Sequence, residues 1–94
     1  MQPTARLTRR VRGDFDPEDA ELVLSSLADL EGLPGPATGE RVQAAIVKVA
    51  RGDLGRLDRE LSLARLDWRD VLVGAGLAGE DWAARLDDDL GTSR

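Results

Sequence analysis

The chain contains no cysteine, no histidine and no tyrosine. The first absence excludes disulfides, thiolate nucleophiles and zinc sites with sulfur ligands. The second removes the commonest general base and the commonest metal ligand. What is left for chemistry is carboxylate, hydroxyl, guanidinium and one amine, Lys48. Aromatic residues are scarce as well, being only Phe15, Trp68 and Trp82. A core must then be built from Leu, Val, Ile and Ala, which suits helices better than a sheet. No apolar run approaches the roughly 20 residues of a membrane span. The opening "MQPTARLTRRVRGDF" is basic but has no apolar stretch behind it, so it is not read as a secretory signal, and the expected compartment is the cytoplasm.

What is present is an ordinary globular mixture. Ninety-four residues make one domain at most, with a small core and little room for a deep pocket. Hydrophobic residues at 41% and charged residues at 33% speak against disorder. Twelve of the 13 basic residues are Arg beside abundant Ala, Gly, Asp and Leu, a bias that GC-rich codon usage produces by itself. Arginine number is therefore weak evidence; arginine placement is better.

Glycine and aspartate punctuate a series of short helices. In "DPEDAELVLSSLADLEG", Asp16 is placed to cap, Pro17 fits the first helical position, and Glu18 and Asp19 favour the positive helix end. Ala20, Val23, Leu24, Leu27 and Leu30 form one face, and Gly32 followed by Leu33 predicts a left-handed exit. "EGLPGPATGE" reads as a loop. "TGERVQAAIVKVARG" then places Val42, Ala45, Ile46 and Val49 on a stripe that stops at Gly52. Asp53 predicts a tight corner into "DLGRLDRELSLA", with Leu54, Leu57, Leu61 and Ala64 inward.

Asp67 is expected to cap a short helix bearing Trp68, Val71, Leu72 and Ala75, with Asp70 reaching back in a capping box and Gly76 as terminator. Glu80 and Asp81 open a last helix with a Trp82–Leu86–Leu90 stripe and Gly91 as its end. Both Asp-Trp pairs are thus read as helix starts with core indoles, rather than as a paired-tryptophan slot.

The Gln-Ala-Ala helix, the Gly-Asp-Leu corner and the Asp-Trp-Arg-Asp-Val-Leu segment occur here in an order that resembles a group of small uncharacterised proteins from GC-rich bacteria. The resemblance covers roughly the C-terminal 55 residues. It implies that the three corners are structural features, and it implies no activity.

Several stretches invite a chemical reading. Asp87, Asp88 and Asp89 look like a metal site, but successive helical residues point about 100° apart and do not converge on one ion. A solvated helix end, or a surface for a basic partner, fits them better. "DFDPEDAELVLS" begins like a calcium loop yet has Asp19 where glycine is needed and Ser25 where glutamate is needed. Lys48, among apolar positions, is the one candidate for a lysine of lowered pKa. No metal, cofactor or catalytic residue is assigned.

Residues 1–13 carry Arg6, Arg9, Arg10 and Arg12 with no acid, on a chain whose net charge is −5. Such an arm suits a phosphate backbone, or equally the chain's own acidic surface. Overall acidity and the lack of aromatics between the arginines disfavour nucleic acid. Leu22, Val47, Leu63 and Val73 stand off the core stripes and are either buried on a second side or part of an interface.

The expectation is an all-α fold: a compact, irregular bundle of about five short helices over residues 14–94, behind an extended or loosely helical basic arm. The expected function is that of a non-catalytic interaction protein, self-associating as a homodimer or docking a protein partner through Leu22, Val47, Leu63 and Asp87–Asp89. The alternatives are a nucleic-acid accessory protein acting through the arm, and a small enzyme using carboxylates or Lys48.

Overall fold

The computed structural model describes residues 2–30 and 36–91. Its elements are α1 (Ala5–Asp14), α2 (Pro17–Ala28), α3 (Pro36–Ala50), α4 (Leu54–Ala75) and α5 (Trp82–Leu90), with no strand among the described residues. The fold is an all-α bundle. Its five helices differ from the five expected. The basic arm is itself the first helix, and the two helices expected around Asp67 meet there at a kink with no loop between them, both lying within α4.

α1 is a regular helix. Thr4 caps it, its hydroxyl accepting the Leu7 N–H at 3.4 Å. Leu7 and Val11 are wholly buried, which stabilises the packed helix by about 1.5–3 kcal/mol for each side chain. Phe15, the single phenylalanine, closes α1 with its N–H on the Val11 carbonyl at 3.0 Å and is buried. Only Phe15 and Asp16 separate α1 from α2, so the chain reverses in one tight corner.

α2 begins as expected, with Pro17 in its first turn and Asp16 at the cap position, but the Asp16 side chain makes no cap hydrogen bond. It ends at Ala28, and the predicted exit through Gly32 and Leu33 lies outside the described residues. α3 opens at Pro36, inside the expected loop, because proline lacks only an N–H that the first helical turn leaves unpaired anyway.

α3 is the centre of the bundle. It packs along α4 and also touches α1 and α5. Val42 through Val47 and Ala50 are all buried, so the helix is enclosed on every side rather than along one stripe. Gln43 is among them, and its Nε2 donates to the Leu27 carbonyl at 3.0 Å, a second bond to an oxygen that also accepts the Leu30 N–H at 3.2 Å, which ties α3 to the end of α2.

The Gly-Asp-Leu corner has the predicted form. Gly52 has φ +78°, and a Cβ there would stand 2.6 Å from the Asp14 carbonyl oxygen, so the α3–α4 corner packs directly on the end of α1. Asp53 caps α4, accepting the Arg56 N–H at 3.0 Å.

Within α4, Asp67 leaves the helical region (φ −156°, ψ 95°) and accepts the Arg69 N–H at 3.1 Å. It is an N-cap without a preceding loop, and Asp70 makes no reciprocal bond. Gly76 (φ 73°) ends α4 in a Schellman turn, with Leu77 N–H on the Leu72 carbonyl at 2.9 Å and Gly76 N–H on that of Val73 at 3.2 Å.

Candidate functional site

The arm arginines are placed on the chain's own acids. Arg6 is 9% exposed and makes a two-pronged pair with Glu40 of α3, Nη2 to Oε1 at 2.6 Å and Nε to Oε2 at 3.0 Å. Its Nη1 reaches Asp87 of α5 at 2.6 Å and the Gly91 carbonyl at 2.9 Å. Thr4 donates its hydroxyl to the same Glu40 at 2.6 Å. One guanidinium therefore joins α1, α3 and the end of α5.

Both partners respond electrostatically. The Arg6 hydrogen bonds hold the Glu40 carboxyl below its ordinary range, against the opposing effect of burial. Glu40 in turn raises the affinity of Arg6 for its proton, again against burial.

Arg10 extends the clasp, bonding Asp14 at 2.9 Å and the Asp89 carbonyl at 2.9 Å. Arg12 pairs with Glu21 at 2.9 Å on the surface, and Arg9 is left exposed. The half-buried Lys48 amine is held by Asp89 at 2.9 Å.

The aspartate run is thereby divided. Asp87 takes Arg6, Asp89 takes Lys48, and Asp88 takes neither. Acids at a helix C-terminus face the negative end of the dipole, and here the cations of α1 and α3 compensate two of them. Asp87 and Asp89 are thus paired within the chain, Asp87 remaining half-exposed and Asp89 less so. Among the described residues, no group of three or more His, Cys, Asp or Glu side chains is arranged to hold a metal ion.

The four off-stripe aliphatics separate. Val47 is wholly buried, which corrects its place among the interface candidates. It lies two turns from Glu40 on the same face of α3, and that face is occupied because Glu40 is taken by Arg6. Leu63 is half-buried against the core. Leu22 is 62% exposed and Val73 67%. Leu66, which periodicity did not single out, is the most exposed at 86%, just before the Asp67 break.

Leu22 and Leu54 line one groove between α2 and the start of α4, with Val23 and Leu57 beneath and Ser26 and Asp58 beside them. Its volume is about 250 Å³. The surrounding helix α2 carries Glu18, Asp19 and Glu21 and no basic residue.

Both indoles are half-buried against the core, and each carries a guanidinium over its face. Arg41 lies 4.6 Å from the Trp82 ring centre and also donates to the Leu77 carbonyl at 2.8 Å. Arg69 lies 5.3 Å from that of Trp68. Asp81, at the cap position of α5, pairs with Arg85 at 2.7 Å, which holds its carboxyl below the ordinary range.

No described helix is long and apolar enough to cross a membrane. Comparison with protein-family models, with curated proteins and with solved structures gives no match.

Proposed function

We propose that the protein is a non-catalytic helical interaction module that docks a protein partner in the groove between α2 and α4. The observation that carries this reading is the pair of exposed leucines, Leu22 and Leu54, lining one groove over the buried Val23 and Leu57. An exposed aliphatic pair over an apolar floor offers a partner side chain a site to fill, whereas scattered single aliphatics do not.

The groove's rim selects the partner. Asp58 lines it, and Glu18 and Asp19 stand one helical turn before Leu22 and Val23 on α2, so the matching segment has an aliphatic anchor flanked by Lys or Arg. A second copy of the chain is a poor occupant, because α2 would bring the same acids against themselves. Catalysis is also poorly supported. The carboxylates whose pKa is displaced, Glu40, Asp53 and Asp81, are all displaced downward by the chain's own N–H groups and guanidiniums. That direction leaves them ionised at neutral pH rather than poised as acids or bases. The nucleic-acid reading through the arm loses its main support, since Arg6 and Arg10 are engaged internally.

A photo-crosslinking side chain at position 22, compared with one at the exposed Arg65, tests the reading in cells producing the protein. The expected result is a discrete adduct from position 22 alone, mapped to a basic segment of another protein and abolished by Leu54→Lys. Adducts of twice the chain's mass would replace docking by self-association. Equal adducts from both positions would remove the groove from consideration.

A further inference from the structure

On the other side of α4 the chemistry is reversed. Leu54, Leu57 and Asp58 face the α2 groove, whereas Arg56, Arg59 and Glu60 lie about half a turn round the helix. These three, with Lys48 and Arg51 from the end of α3 and Gly74 from the end of α4, line a second groove of about 420 Å³. That size lies within the range of small-molecule sites.

The placement of cations there is not accounted for by internal pairing. Among the described residues, Arg6, Arg10, Arg12, Lys48 and Arg85 are paired with acids, and Arg41 and Arg69 lie over indoles. The side chains of Arg9, Arg51, Arg56, Arg59 and Arg65 have neither kind of partner, and three of these five line this one groove. The groove thus concentrates guanidiniums that form no ion pair among the described residues, on a chain whose net charge is −5. The Asp53 carboxylate at the start of α4 interacts with the Arg56 and Arg59 guanidiniums only through space. Lys48 sits at its edge with Asp89, and Glu60 is the one acid in the lining.

Two local features add to this. Arg51 has φ +49°, a left-handed conformation unfavourable for a residue with a side chain, although the next residue is a glycine. Gly74 contributes no side chain, and the position its Cβ would take has nothing within 4 Å, so the groove stays open there.

We propose that this groove binds a small phosphate-bearing ligand, with Arg51, Arg56 and Arg59 as its contacts and Lys48 assisting from the edge. A guanidinium presents its donors as a planar fork matched to two oxygens of a phosphate or carboxylate. A single carboxylate occupies one fork. A phosphate chain offers enough oxygens for several, which suits three arginines lining one groove. The site lies on the face of α4 opposite the leucine groove.

The test is a titration of the full chain with inorganic pyrophosphate, followed by amide NMR at 150 mM salt, where screening beyond about 8 Å suppresses diffuse attraction. Saturable shifts are expected at residues 48–60 and 74–75, with orthophosphate and succinate binding more weakly. Arg56→Gln and Arg59→Gln should each lower the affinity about tenfold, and Arg65→Gln should leave it unchanged. Arg51→Gly separates binding from folding: it removes a guanidinium at a position glycine adopts readily, so affinity falls while the Tm holds or rises. No saturable shift, or shifts indifferent to these substitutions, would overturn the proposal. So would succinate matching pyrophosphate, or tighter binding of a short DNA duplex at the same salt, which would make the groove a contact for nucleic acid.

Discussion

Arg6 is the residue on which most of the molecule converges. Its guanidinium is nearly buried, and each side of it meets an oxygen: Glu40 on one edge, Asp87 and the Gly91 carbonyl on the other. A buried pair of this kind adds little net stability relative to a well-packed apolar pair, but removing one partner strands the other. Glu40→Gln should therefore destabilise the chain at pH 7 by about 1–3 kcal/mol, short of a full stranding because Arg6 keeps Asp87 and the Gly91 carbonyl. Arg6→Met with Glu40→Leu should be less damaging than either single change, with Asp87, half-exposed, left to water.

The pH dependence has a definite sign. The folded state holds Glu40 below its ordinary value of 4.5, so its contribution is complete above that value and is lost as pH falls through the lower, folded-state pKa. Urea titrations should show the gap between the native chain and Glu40→Gln constant near neutrality and shrinking below pH 4.5. Asp53 and Asp81 are also held low, but they are present in both proteins and cancel from the difference. A gap that stays constant down to pH 2 would deny Glu40 this role.

At the scale of the helices, the aspartates that begin them are not equivalent. Asp53 and Asp67 each accept a backbone N–H, from Arg56 and Arg69, whereas Asp16 stands at a cap position without such a bond. Replacing Asp53 or Asp67 by Ala should lower the denaturant midpoint at constant m, and Asp16→Ala should lower it by less than half as much. Equal losses at all three would mean that dipole and charge, not the hydrogen bond, set the effect.

The sequence made these junctions legible because cap and terminator chemistry is local. Gly52, Asp53, Asp67, Gly76 and Gly91 each act on the residues beside them, and each ends or starts a helix where its type and spacing indicate. The surfaces of α3 were not legible in the same way. Glu40 and Gln43 marked a polar, outward face, and Val47 beside them looked exposed. Their partners, Arg6 and the Leu27 carbonyl, lie 34 and 16 residues away, and periodicity does not see such distances. The same holds for Asp87 and Asp89, whose cations come from α1 and α3. The candidate site was accordingly half readable: Leu22 stands out from its own helix, while Leu54 gains meaning only when α2 is laid beside α4.

For the whole molecule, the decisive fact is that the basic N-terminal stretch is a wall of the bundle. α1 covers the Glu40–Val47 side of α3, buries Leu7 and Val11, and clasps α5 through Arg6 and Arg10. Deleting residues 1–12 would forfeit about 3–6 kcal/mol of apolar burial from those two side chains alone. It would also leave Glu40 without its cation. A chain of 94 residues has a total stability on the order of 5–14 kcal/mol, so the truncated form should lose most of its margin. Its thermal transition, followed by tryptophan fluorescence and far-ultraviolet circular dichroism, should broaden and move down by tens of degrees or vanish. Charge reversal at Asp87 and Asp89 should move in the same direction by a smaller amount, because it breaks the clasp while leaving the apolar contacts. Reversal at Asp88, which forms no ion pair among the described residues, should leave the transition nearly in place. A truncated chain melting sharply near the native Tm would show that α1 adds no stability to α2–α5, and the basic stretch would again be free to serve a partner.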